Sequence, residues 1–353
     1  MTLRERRSLS EKLRSHRNTL AARVNDEFFQ RHPDWRERYG EKGVEHGFED
    51  ACFHIDFLRG AIEAGSEEAF KEYVRWTERV LGARGIASEY LAENLRQIGD
   101  ATRATLTVAE YTYVDSLIHA ANKDHGHLKT TDGSDPTHGL PDLAVTRRLF
   151  TQAILLGQRK PAEAVMMQAI ENGASLVDVY VDVLQEALFE VGRRWEENTI
   201  TVAEEHMATA ITQYLVAQLY PRIAWNGAIK GRIVVTGVQG ELHHVGANIV
   251  ADVLEANGWD VRFLGTNLPH AGILRVIEEH GAEIVGISVT LLSNIPRLIS
   301  LVEAMDKALG RERLRIIVGG GAFRCKPDLW KEVGAHGFAG DARQLLSVID
   351  TLR

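Results

Sequence analysis

Two cysteines in 353 residues, Cys52 and Cys325, provide no disulfide framework. No run approaches the roughly 18 consecutive apolar residues of a membrane helix. The opening Met1-Thr-Leu-Arg-Glu-Arg-Arg7 lacks the apolar stretch of a secretion signal, so a soluble, cytoplasmic protein is expected. An excess of positive charge is missing too. Lys plus Arg number 41 against 49 Asp plus Glu, a formal net charge of −8. The basic stretch Arg4, Arg6, Arg7, Lys12, Arg14 and Arg17 is interleaved with acids, and no helix-turn-helix or winged-helix pattern carries a basic recognition helix. Direct nucleic-acid binding is therefore not the expected activity. What the chain does have is 44% hydrophobic residues, enough for two or three cores.

The C-terminal third alternates short apolar runs with amphipathic stretches. The runs Arg232–Val238, Asp260–Leu264, Ile284–Val289, Arg315–Val318 and Gly337–Ala339 predict a parallel, doubly wound sheet. Such sheets bind ligands at the carboxyl ends of their strands, beside a switch in strand order. Three informative loops fall there: Glu241–Gly246, Ser288–Leu291 and Gly319–Gly321. In the first, His243 offers an imidazole to a transition metal, and Glu241, two residues earlier, is placed to fix its tautomer. Gly246 starts a helix at a position where a side chain would collide with a planar macrocycle, while Ala247, Ile249, Val250, Val253 and Leu254 pack that helix on the sheet. A lone loop histidine is usually a surface residue, and a glycine triplet is usually a turn. Three such loops on one sheet edge favour a site.

Upstream, residues 144–223 read as helices. Val177, Tyr180, Val181, Leu184, Leu188 and Val191 form a 3.6-period stripe, and Thr201 to Tyr220 another, after the polar break Glu196-Glu197-Asn198. Short connections predict an antiparallel bundle. Trp195 precedes Glu205-His206 by nine intervening residues. Each member alone is an ordinary helix residue.

The three loops resemble the cobalamin-binding fold of methionine synthase and its relatives, with its pattern Asp-x-His-x-x-Gly, Ser-x-Leu and Gly-Gly. The resemblance implies that His243 is the lower ligand of cobalamin cobalt and that Glu241, in place of Asp, orients it. It implies that Gly246 clears the corrin, and that Ser288, Thr290 (where Leu is usual), Gly319 and Gly320 line a channel for the displaced base. His244 is read as a bystander. A four-helix-bundle cap over 143–225 and a Rossmann-like domain over 230–353 follow. The Trp195, Glu205, His206 spacing resembles that of light-sensing cobalamin regulators, in which these residues surround an adenosyl group. Those regulators commonly carry His directly after the Trp. Here Glu196 stands there, so capping by that route is not expected; His206 is a disfavoured substitute.

Residues 1–122 look entirely helical, with Gly65 stopping one helix and Ser66 capping the next; 123–142, with His125, His127 and His138, reads as a polar linker. The runs Gly43–Leu58 and Phe70–Trp76 resemble the globin-like helical domain of photocobilins, which bind cobalamin and biliverdin. A noncovalent bilin slot would draw on Phe53, His54, Phe57, Tyr73 and Trp76. The alternative is that Phe53 and Phe57 are core. The reading that follows is an α/β plus all-α photoreceptor and not an enzyme. Light would cleave the Co–C bond of adenosylcobalamin, with a homo-oligomer, a dimer favoured, and a downstream signalling partner. The alternative is a corrinoid methyl carrier of a methyltransferase system; cobalamin storage or light-independent sensing forms a third class.

Overall fold

The computed structural model describes residues 1–123, 141–223, 229–324, 326 and 328–352. The chain forms two compact units. One comprises Met1–Lys129 with Leu291–Pro296 and Ala322–Val333; the other comprises Thr130–Thr290, Arg297–Gly321 and Gly334–Arg353.

The first unit is helical. Helix α1 (Leu3–Arg31) starts on a capping box between Thr2 and Glu5, which satisfies two otherwise unpaired N–H groups, and buries Leu9, Leu13, Leu20, Val24 and Phe28. Helix α2 (Pro33–Ala64) begins on proline, is broken at Gly40 (φ 64°), and ends on left-handed Gly65 (φ 57°). Ser66 accepts the Ala69 N–H at 3.1 Å and starts α3 (Glu67–Gly82), with Glu67 and Glu68 in its first turn. Helices α4 (Ser88–Thr102) and α5 (Val108–Lys123) complete the set. A buried guanidinium braces α1 to α2: Arg59 Nε donates to Ser10 O (3.0 Å) and Nη1 to Asp56 (3.0 Å). The core reading of Phe53 does not hold, since that side chain is 56% exposed. The buried positions on this face of α2 are His54, Ile55, Leu58, Ala61 and Ile62, spaced as one helical stripe, and they put the histidine inside. The stretch read as a linker, with His125, His127 and His138, lies almost entirely outside the described residues.

In the second unit, α6 (Pro141–Leu155), α7 (Arg159–Glu171), α8 (Leu176–Asp178), α9 (Glu186–Glu196) and α10 (Val202–Leu219) precede the sheet. Between α8 and α9 the chain stays helical but widens to a π-helix over Val179–Gln185. The uniform 3.6 period expected across Val177–Val191 is thus not kept. The π stretch buries Val179, Tyr180, Val181, Val183 and Leu184, two more residues than the stripe contains there.

The sheet follows as expected, each strand end lying within a residue of its sequence reading. Strands β1 (Arg232–Gly237), β2 (Asp260–Phe263), β3 (Ile284–Ser288), β4 (Arg315–Gly319) and β5 (Gly337–Ala339) are all parallel, in the order β2-β1-β3-β4-β5. They alternate with α11 (Val245–Ala256), α12 (His270–His280), α13 (Ile295–Leu309), the short α14 (Leu329–Glu332) and α15 (Ala342–Leu352). Strand order reverses between β1 and β3, the kind of switch beside which such sheets bind ligands.

Bundle and sheet share one core, in which Val245, Ile249, Val253 and Ala342 join Tyr180, Leu184, Val216 and Leu219. Two polar ties cross it. Tyr180 donates its hydroxyl to Asp252 on α11 (2.7 Å, buried), and Arg343 on α15 donates to Asp178 and Asp182, each at 2.9 Å. The π-helix supplies both Tyr180 and Asp182, a use consistent with such segments appearing at functional places in helices.

Candidate functional site

The loop after β1 sits at the switch in strand order. Glu241 is wholly buried, while Leu242 is 72% exposed and the His243 side chain 55%. Glu241 Oε1 accepts the His243 backbone N–H at 3.0 Å and lies 2.6 Å from His243 Nδ1; Oε2 accepts the Thr290 N–H at 2.8 Å. Burial pushes the Glu241 carboxyl up. The bonds from the His243 ring, the Thr290 N–H and the His243 N–H outweigh it and hold the carboxyl below its ordinary value. An ionised Glu241 accepts only, so Nδ1 carries the proton and Nε2 keeps its lone pair. No described residue bonds Nε2.

Next to it, Gly246 opens α11, and a Cβ built there would meet no heavy atom within 4 Å. The space at that position is open. Ser288 ends β3 in register with Gly237 and Gly319, and its hydroxyl bonds no described residue. Gly319 and Gly320 are required by the protein's own backbone. A Cβ on Gly319 would lie 2.7 Å from Ala339 O, and one on Gly320 (φ 103°) would lie 2.4 Å from Val289 O. Thr290 contributes through its backbone N–H, a role that the sequence reading, which assigned it to tail packing, did not contain.

Both ring nitrogens of His244 have protein partners. Its Nδ1 faces Leu242 O at 3.2 Å, which requires the proton there, and its Nε2 faces Gln213 Nε2 at 2.8 Å on α10. The Gln213 amide therefore donates to the ring and ties the bundle to the ligand loop. Gln213 was missed, as was Asn267. The latter adopts left-handed backbone geometry (φ 62°), and its Oδ1 accepts the Gly240 N–H at 2.8 Å. Nothing local in the sequence signals either contact. In the bundle, Trp195 is half-buried near the end of α9. Glu205 lies 2.5 Å from His206 Nδ1 and accepts the Thr209 hydroxyl at 3.0 Å; the His206 side chain is 75% exposed.

The donor set fits a macrocycle-bound metal. Among the described residues no group of three or more His, Cys, Asp or Glu is placed to hold an ion. A single oriented imidazole beside open space suits a cobalt whose equatorial positions a corrin fills; a bare ion needs more protein ligands. Among the described residues no helix is long and apolar enough to cross a membrane.

Residues 231–349 match a family model described as B12 binding domain, and residues 146–220 match a second model of that description. The chain is 30% identical over 196 residues to a corrinoid protein of Desulfitobacterium hafniense, covering 54% of this chain and 89% of that one. It is 25% identical over 335 residues to methionine synthase of Mycobacterium tuberculosis, covering 92% of this chain and 27% of that longer protein. The solved monomethylamine corrinoid protein of Methanosarcina barkeri shares the fold over 60% of this chain and 99% of its own, with a TM-score of 0.54 at 18% identity. The second unit is thus a cobalamin-binding module, and the chain belongs to the family of corrinoid proteins built on the B12 binding domain.

Proposed function

We propose that the protein is a corrinoid methyl carrier, the subunit that receives a methyl group from one methyltransferase site and presents it to another. The observation that carries this reading is the His243 imidazole. It is bare at Nε2, held at Nδ1 by a buried carboxylate, and placed at the sheet edge beside the clearance at Gly246. Bound cobalamin would supply a cobalt whose upper face takes and gives up a methyl group.

The chain's own residues do the rest. His243 would offer Nε2 to the cobalt of bound cobalamin. Glu241 holds the proton of the His243 ring at Nδ1, which leaves Nε2 with its lone pair. Thr290 N–H and the Asn267 side chain hold the loop in shape. Gln213 and His244 tie α10 to that loop, so the bundle and the lower ligand are held to one another. The names of the relatives, corrinoid proteins and methionine synthase, support methyl carriage over the light sensor expected from the Trp195 spacing.

One observation keeps light sensing as a second reading: half-buried Trp195 lies at the end of the helix that leads into Glu205–His206, suited to covering an adenosyl group of adenosylcobalamin. Under it, the stack of Phe57 on Tyr73 (3.9 Å, 12°), with buried His54 2.6 Å from the Tyr73 hydroxyl, is where biliverdin would lie. A dimer whose assembly changes with light would then pass the signal to a partner.

Protein loaded with isotopically labelled methylcobalamin and mixed in darkness with thiol and methylamine methyltransferases decides between them. Label passing to an acceptor in the dark, with an elution volume indifferent to green light, is the expected result. No dark transfer, together with a light-dependent elution volume when adenosylcobalamin is bound, would replace the carrier by the sensor.

A further inference from the structure

Helix α2 presses on the chain two residues beyond the site. A Cβ on Gly60 would lie 2.2 Å from the carbonyl oxygen of Leu292, 2.7 Å from its carbonyl carbon and 3.2 Å from its Cγ. Both residues belong to the helical unit. The nearest atoms are backbone, which cannot swing aside as a side-chain tip does. Only glycine lets α2 and the Leu292–Asn294 turn approach so closely.

Thr290, two residues before Leu292, belongs to the other unit. It is fixed there on two sides. Its N–H holds Glu241 Oε2 at 2.8 Å, and Gly320 and Gly321 lie against Val289 O and Thr290 O, with no room for a methyl group at Gly320. The covalent link between these two fixed points is Leu291 alone. A single residue spans at most about 3.6 Å, so it has little slack in which to lose a displacement. To relieve a 2.2 Å approach, α2 and Leu292 must separate by roughly 1 Å, to ordinary contact distance. A shift of that size at Thr290 would take a 2.8 Å hydrogen bond beyond the range in which it counts as one.

We propose that Gly60 is a positioning residue for the cobalt ligand: through Leu292 and Leu291 it sets the place of the Thr290 N–H, and through Glu241 it sets the orientation and tautomer of His243. This rests on the assignment of His243 as the ligand in the proposed function.

The test uses the full chain. Gly60→Ala is compared with Glu241→Gln, with the double variant, and with Gly82→Ala, a helical glycine with open space around it. The readouts are the His243 ring 15N shifts in cofactor-free protein at one fixed pH, assigned with His243→Ala, and the share of histidine-ligated spectrum after hydroxocobalamin is added. Gly60→Ala should reduce the Nδ1–H tautomer and the histidine-ligated share in the direction of Glu241→Gln. The double variant should go no further than Glu241→Gln, and Gly82→Ala should match wild type. If Gly60→Ala does not fold, Leu292→Ala, which trims a buried side chain of the same turn, must shift the same signals in smaller measure. His243 signals unmoved by both variants, while Glu241→Gln moves them, would overturn the proposal and leave the ligand assignment standing. A spectrum unchanged in His243→Ala would overturn the ligand assignment itself.

Discussion

At the scale of single residues, the site depends on a carboxylate with three donors and no solvent. Glu241→Gln must turn an amide N–H toward either Thr290 N–H or His243 Nδ1–H, setting donor against donor. Cobalamin affinity is expected to fall about 10–100-fold, the usual cost of losing a partner that orients a metal ligand; equilibrium dialysis measures it. The pairing of Glu241 with His243 was legible because it is local, two residues apart on one loop. Thr290, Asn267 and Gln213 were not, since each reaches the loop from a distant part of the chain through contacts that composition does not encode.

Asp252 carries a second prediction at this scale. Burial raises its carboxyl to about 6 from an ordinary 3.8, against the pull of the Tyr180 hydroxyl and with the charge of Glu255 adding to the rise. The folded protein therefore holds this proton longer than the unfolded chain does. Stability from this group falls as pH rises from about 4 to about 6, by roughly 3 kcal/mol in all. Asp252→Asn should remove that slope. The stability difference, variant minus wild type, is expected to grow across that window and to level above it in thermal melts taken at successive pH values.

At the scale of elements, the five strands were readable because each is a short, largely apolar run bounded by a turn. The π-helix was not readable: Val179 to Leu184 is nearly all apolar, so no polar residue marks where the period changes. Its outcome is the placement of Tyr180 on Asp252 and of Asp182 on Arg343. Tyr180→Phe leaves a buried carboxyl without its donor and should cost about 1–3 kcal/mol, read by denaturant unfolding. Gly320→Ala meets both a positive φ and the Val289 carbonyl. It is expected to cost at least as much, by the same measurement.

At the scale of the whole molecule, a ligand that binds only the folded state stabilises it by mass action. Cobalamin at about 100 times its Kd should add about 2.7 kcal/mol. In His243→Ala the same concentration should add less, and a calorimetric melt with and without cobalamin compares the two. The alternation of strands and helices told the sheet's class. The membership of Leu291–Pro296 and Ala322–Val333 in the helical unit was hidden, because both segments sit among the strands in sequence.

That membership has a consequence for synthesis. Helices α1 to α5 leave the ribosome before Leu292, Ile295, Phe323 and Leu329, buried residues of the same unit, have been translated. The last of these arrive about 200 residues later, on the order of 10–40 s at about 5–20 residues per second. Throughout that interval the newborn helices expose the apolar surface those residues will cover.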